Sequence, residues 1–573
     1  MKQRIPVIIG KFIAGLLIIN YLAYFIIKQF TIYFVIVNYL GDVDVRNSQF
    51  VAQLTQLKSS NFFQFYFQHI INGNWGISRA SSLSVTRYLQ HHLVMTIISY
   101  ILIIVLSYFL SVGCYYFIQN KNSEFLRKFR GNWSVYLVIG ILPLVFMLFF
   151  EPSMWIYDGS DPNNAMLTTP FIVFLIVSIL ISTAKLLSEM AMIPRHAKLI
   201  SDEHLEFPTE DAEHEQVIEL NSGSIFYYPL IALKSSQAFI FDIIFIMTIL
   251  TNIPGLTRIF NISVVFADIF VMFPIILYIS MLLLTINLVI DLIQYQLGME
   301  EIDDETTTFA PEDTQKRLYS KYVFYGFVGM SFLTVVYGIF IGFSATSKIP
   351  FLYDPNYVQI SIRNLGILSH GHLLGTDYLG RDVFSRLVFS LSAFFLPIVL
   401  TILFRPFLVI VMHRVKEIRG VPIGSVLSDI LQVLPKTIVL ILLAMVSFSV
   451  NPDLFRGPVF VILASFFFWS WPLKYYDRMQ LSNQPNMSIL DRYKPLIPLV
   501  SVNIVIELII ITYLGFVPQI SLLGGNIAWG SLLVNLLTFF PSKYLPKVML
   551  TMFIIFGSLA GMMRYAQNVI VRN

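Results

Sequence analysis

The sequence predicts an all-α polytopic membrane protein of about twelve transmembrane helices, arranged as two pseudo-symmetric six-helix halves. Three observations lead there. The chain is 56% hydrophobic and only 13% charged, with a mean hydropathy of +0.73, whereas a soluble domain carries about a quarter charged residues. The apolar residues fall in long runs such as "VMTIISYILIIVLSYFLSVGCYYFI" (94–118) and "ILYISMLLLTINLVIDLI" (276–293), and about 20 such residues cross about 30 Å of hydrocarbon. A polar stretch, 298–321, divides the runs six and six.

Candidate spans lie near 7–30, 93–118, 134–151, 169–187, 234–252, 268–292, 322–344, 384–411, 424–450, 458–473, 496–516 and 545–567. The first is too long for a cleavable signal segment and reads as a signal anchor. The domains follow as a first half (1–297), a linker (298–321) and a second half (322–573). Each half repeats one plan: a span, a long polar segment (31–92; 345–383), then five more spans with a larger loop between the fourth and fifth (188–233; 474–495).

Orientation follows from Lys and Arg in the short loops. Lys121, Arg127, Lys128 and Arg130 share one loop, Arg414, Lys416 and Arg419 another, and Lys474, Arg478, Arg492 and Lys494 a third, while 152–168 holds no Lys or Arg. Both termini and the linker are therefore expected on the cytoplasmic side, and the segments before each second span outside. The single cysteine, Cys114, excludes an internal disulfide. A net charge of +4 gives no ground for a nucleic-acid partner.

One stretch breaks the apolar pattern. "GHLLGTDYLGRDVFSRL" (371–387) carries three glycines, Asp377, Asp382, Arg381 and Arg386 just before a span. Gly375 and Gly380 permit tight turns, the aspartates suit helix starts, and the arginines suit carboxylate or phosphate partners. These residues are expected to form an elbow that returns the chain to the membrane.

The same stretch resembles the segment before the second span in a permease subunit of the dipeptide, oligopeptide and nickel ABC importers, whose pattern reads roughly H-P-L-G-T-D-x-L-G-R-D-x-x-S-R-L. Gly375, Thr376, Asp377, Leu379, Gly380, Arg381, Asp382, Ser385, Arg386 and Leu387 fit it, and Leu373 departs from it. "ELIIITYLGFVPQ" (507–519) and "GGNIAWGSLL" (524–533), with Trp529 and Gly530, resemble later motifs of that subunit. In the first half, "GNWGISRASSLSVTRYLQHHL" (73–93), "IPGLTRIF" (253–260), with Pro254 and Gly255, and "NLVIDLIQYQL" (287–297) resemble the partner subunit more weakly. The resemblance implies two fused permease subunits in a bacterial cytoplasmic membrane, two cytoplasmic ATPase partners and an extracellular solute-binding lipoprotein. It implies no cofactor on this chain, ATP being held by the partners. No G-x-x-x-x-G-K-[ST] phosphate loop is present.

The resemblance further implies ATPase docking between the fourth and fifth spans. In the second half Met487 and Leu490, one helical turn apart, with Arg492, stand at that position, although Pro485 and Asn486 replace the family's glycine turn. In the first half "SDEHLEFPTEDAEHEQVIE" (201–219), including Glu210, Asp211 and Glu213, carries eight acidic residues and no Lys or Arg. It reads equally as a solvated loop or as a docking surface for a basic patch. Paired histidines (His91 with His92; His370 with His372) read as ordinary polar residues rather than metal ligands. Two other classes stay open. A secondary transporter would use the ionisable residues within spans, Asp242, Asp291, Arg405, Lys436 and Glu507, of which Asp291 and Glu507 fall in the segments that carry the resemblance and the others are scattered singles. A non-transporting scaffold or receptor would account for the atypical cytoplasmic loops. No H-E-x-x-H or G-x-S-x-G motif points to a membrane enzyme.

Overall fold

The computed structural model describes residues 4–28, 56–57, 59–78, 81, 83–121, 168–192, 224–265, 268–296, 317–340, 351–417, 434–448, 456–468, 494, 496–515, 528–538 and 545–572. Among these the protein is all-helical. The first half contributes α1 (Arg4–Ile26), α2 (Phe62–Asn72), α3 (Val85–Lys121), α4 (Thr169–Met192), α5 (Ser224–Thr251), α6 (Leu256–Val265) and α7 (Ile269–Gln296). The second contributes α8 (Arg317–Phe340), α9 (Val383–Phe389), α10 (Ser392–Glu417), α11 (Lys436–Phe448), α12 (Arg456–Phe467), α13 (Leu496–Tyr513), α14 (Trp529–Thr538) and α15 (Leu545–Arg572).

Nine spans among the described residues are long and apolar enough to cross a bilayer: α1, α3, α4, α5, α7, α8, α9 with α10, α13 and α15. The chain is a multi-pass membrane protein. The spans expected at 424–450 and 458–473 coincide with the shorter apolar helices α11 and α12. The span expected at 134–151 lies outside the described residues, as does most of the linker. Proline inside a helix frees a backbone carbonyl, and in a membrane bundle neighbouring helices, Ser/Thr side chains and local adjustments re-satisfy it. Pro229 sits in α5, Pro274 in α7, and Pro397 and Pro406 in α10.

Helix α1 packs on α7, and α8 packs on α15, so in each half the first span lies against the last. Helix α4 lies between α3 and α5, and α10 contacts α8, α12 and α13. The short helices α6 and α14 each fit between their half's fifth and sixth spans. Among the described residues the two halves touch at α11, against α5 and α1. Helices α7 and α13 are buried along most of their length, whereas α1 and α8 turn long apolar faces outward, such as Ile9, Ile13, Leu17, Tyr21 and Phe25 on α1.

Close packing of α8 on α15 depends on a missing side chain. A Cβ at Gly561 would stand 2.7 Å from Val323 Cγ1, while one at Gly557, a turn earlier, meets nothing within 4 Å. Close approach at small residues is how membrane helices gain packing energy without a hydrophobic driving force. Gly561→Leu should therefore lower the thermal unfolding midpoint of the purified protein, and Gly557→Leu should leave it nearly unchanged. Equal effects of the two would refute this account of the helix pair.

Candidate functional site

The elbow before α9 is built around one carboxylate. Asp377 Oδ1 accepts the backbone N–H groups of Leu379 and Arg381, both at 2.9 Å. Its Oδ2 accepts Arg381 Nε at 2.8 Å and an Arg386 guanidinium N–H at 2.7 Å. Four donors on a buried carboxylate fix both the turn and the two arginines. Asp382 performs a second task, capping α9 through the Ser385 N–H at 2.6 Å while its other oxygen meets His372 Nδ1 at 2.8 Å. Tyr353 packs on the His372 ring at 4.7 Å and passes its own N–H to Ser385 Oγ. His372 is thus engaged within the elbow, while His91 and His92 lie ring against ring on α3.

Two glycines are required here. Gly375 and Gly380 hold φ of +72° and +75°, and a Cβ at either would overlap backbone: the Leu365 carbonyl oxygen in one case and that of Gln359 in the other. The piece 376–379 is clasped by 359–365, with Gln359 N–H donating to Leu379 O and Asn364 N–H to Asp377 O. Thr376 donates its hydroxyl to Ile362 O and accepts the Leu365 N–H. From the first turn of the last span, Lys547 Nζ donates to Thr376 O at 2.5 Å and to Leu365 O at 3.1 Å. Sequence reasoning missed Lys547, which lies 171 residues from Thr376 and in no motif.

The first half holds a turn with the same hydrogen bonds. Val85 N–H donates to Gly76 O at 2.9 Å, as Val383 N–H does to Gly375 O at 3.0 Å. Ile77 bridges Ser84, as Thr376 bridges Asp382, and Ser78 N–H reaches Leu83 O as Asp377 N–H reaches Arg381 O. Gly76 also has positive φ. Beside the first turn of the last span, Asp268 Oδ2 takes the Ser78 hydroxyl at 2.6 Å, the place Lys547 fills in the second half.

Each short helix is tied to the start of its half's second span. Trp529 Nε1 donates to Leu387 O at 2.9 Å, and its ring meets Phe327 and Phe394. Gly530 lets α14 cross α13, since a Cβ there would overlap Ile509 O and Thr512 Oγ1. In the first half Leu256 N–H donates to Thr96 Oγ1 at 2.8 Å, and buried Pro254 and Gly255 form the turn that brings it there.

A second constellation lies inside the membrane-spanning region. Arg405 on α10 and Glu507 on α13, both fully buried, form a two-pronged pair at 3.1 and 2.8 Å. Lys436 Nζ, at the start of α11, meets the same carboxylate at 3.0 Å and lies over the Phe468 ring. Across the boundary between halves, Asp242 on α5 caps α11, taking the N–H groups of Lys436 and Thr437 at 3.0 and 2.9 Å and the Thr437 hydroxyl at 2.5 Å. Asp291 pairs separately with Lys234 at 2.6 Å. Four of the five ionisable residues that the sequence places within spans are therefore one cluster. Met487, Leu490, Arg492, Glu210, Asp211 and Glu213 lie outside the described residues.

No protein-family model, curated protein or solved structure matches the chain.

Two outcomes are expected. Gly380→Ala should destabilise the purified protein by about 2–4 kcal/mol, since strained backbone alone costs about 1–3 kcal/mol and the overlap with Gln359 adds to it. Gly366→Ala, whose Cβ would meet only Ser369 Oγ at 3.6 Å, is the matched control, and thermal unfolding in detergent measures both. Glu507→Leu should cost about 3–5 kcal/mol by leaving a buried guanidinium uncompensated. The double change Arg405→Leu with Glu507→Leu should cost less than the single one; a larger loss would contradict the pairing.

Proposed function

We propose that the chain is the membrane-spanning permease of an ATP-driven importer for peptides or a similar small solute, two permease units fused end to end. The observation that carries this reading is the elbow. The segment by which the chain resembles importer permeases is the one whose Asp377, Asp382, Arg381, Arg386, Gly375 and Gly380 all have work in a single turn. The matching turn at Gly76–Val85 supports a duplicated plan. So do the first-on-last helix pairs and the two short helices tied to the second spans.

On this reading the chain crosses a bacterial cytoplasmic membrane about twelve times with both termini and the 298–321 linker inside. Two cytoplasmic ATPases hold ATP and dock at 479–494 and 201–219, and a solute-binding lipoprotein delivers cargo outside. No residue of this chain is catalytic. Its role is mechanical: rigid elbows fix each second span, and the halves rearrange about the α5–α11 contact, where Asp242 holds the start of α11.

The intramembrane cluster favours a second reading, a secondary transporter driven by an ion gradient, in which Asp242 or Glu507 exchanges its protein partner for a transported cation. Uptake by proteoliposomes separates the two. The importer needs the ATPases and ATP and works without an ion gradient, whereas the secondary transporter needs only the gradient.

The docking assignment has its own test. Met487→Asp with Leu490→Asp should abolish co-purification of the ATPases and ATP-dependent uptake while leaving membrane insertion intact. The contribution of 201–219 should weaken at high salt, because exposed charge pairs are screened. Parent-like ATPase binding by the double variant would reject this assignment.

A further inference from the structure

Helix α2 lies in the long segment between the first two spans and has three distinct sides. At about 100° per residue, Phe62, Phe65, Tyr66 and His69 share one third of its circumference. Ile70, Phe63, Phe67 and Ile71 share the next, and Gln64, Gln68 and Asn72 the last. Phe62, Phe65 and Tyr66 are buried. They pack around Tyr24 near the end of α1 and Phe273 near the start of α7, with ring centroids 4.8–6.3 Å apart. Tyr66 also donates its hydroxyl to Asn20 on α1. The second side is apolar and open: Phe63 and Phe67 are each 70% exposed, Ile71 64% and Ile70 54%. The glutamines of the third side are exposed as well.

Helix α2 is fixed in place. Asn61 caps its start through the Gln64 N–H, Gly73 ends it at φ +58°, and the His69 ring stacks on Trp75 at 5.5 Å. It sits beside the end of α1 and the start of α7, the same end of two spans. Lys28, one turn beyond Tyr24, reaches the Ser60 carbonyl just before the helix. The open apolar side adjoins the lipid-facing stripe of α1, with Tyr21 on Phe62 at 5.4 Å and Phe62 on Phe63 at 5.1 Å.

We propose that α2 is an interfacial helix lying along the bilayer surface, with Phe63, Phe67, Ile70 and Ile71 sunk among the acyl chains and Gln64, Gln68 and Asn72 facing water. A helix with one side on protein, one in lipid and one in water needs three stripes, and α2 has them in that order. Aromatic and aliphatic side chains beside polar ones are the composition that this depth of the bilayer favours. The occupant is lipid because the apolar side continues a surface that already faces lipid. The inference does not depend on whether the chain is an importer.

The test uses the full chain in a Cys114→Ala background, with single cysteines at Phe63, Phe67, Gln64 and Gln68 carrying a nitroxide, in vesicles of phosphatidylcholine and phosphatidylglycerol. These four side chains are exposed, so labelling leaves the core intact. Power saturation should give an oxygen-to-nickel-chelate accessibility ratio several-fold higher at 63 and 67 than at 64 and 68. Equal ratios at all four positions, low as in water or high as in the bilayer core, would remove the difference between the two sides and overturn the proposal. Positions 63 and 67 reached by neither reagent would mean that protein, such as a second copy of this chain, covers the face, and would overturn it equally.

Discussion

Hydrocarbon supplies no partner for a backbone N–H or for a charge, and the structure is organised around the places where the chain must provide one. The start of α11 is the clearest case. Its first N–H groups have no intrahelical acceptor, and the acceptor comes from Asp242, 194 residues away on α5. That single carboxylate closes a helix terminus and joins the halves. A negative group there is also favoured by the positive end of the helix. Lys436 then carries the connection onward to Glu507, and Glu507 to Arg405.

Much of the elbow was legible in the sequence because its contacts are local. Asp377 reaches residues two, four and nine positions on, and Asp382 caps the helix that follows at once. Glycines at 375 and 380, spaced among aspartates and arginines, announce left-handed turns and charged partners. The helices were legible as apolar runs. Helices α11 and α12 overlap the apolar runs expected at 424–450 and 458–473.

What the sequence concealed is long-range. Arg405 and Glu507 stand 102 residues apart, and Thr437 lies 195 from Asp242. Arg405 and Asp242 each stood as one ionisable residue in an apolar run and Glu507 as the first residue of a motif, with nothing in the sequence to join them. The first-half turn was faint for a different reason. It keeps the backbone bonds of its counterpart at Gly76–Val85 but replaces the aspartate at the centre by Ser78, which takes its carboxylate from Asp268 at the far end of the half. A backbone arrangement can persist while the side chains that hold it change, and sequence comparison sees only the side chains.

The chemistry of the intramembrane cluster limits what the two halves can do. Arg405 and Lys436 bring two positive charges and Glu507 and Asp242 two negative ones, so the set is neutral when closed. Buried ion pairs contribute little net stability, yet losing one member is costly. Arg405 and Glu507 are fully buried on α10 and α13, within one half, and are suited to stay together. Lys436 is different: a third of its side chain is exposed, and its backbone leans on the other half. A motion that parts α5 from α11 would strip Asp242 from two N–H groups and a hydroxyl at once. That cost favours the closed contact, in which all three bonds to Asp242 are made together.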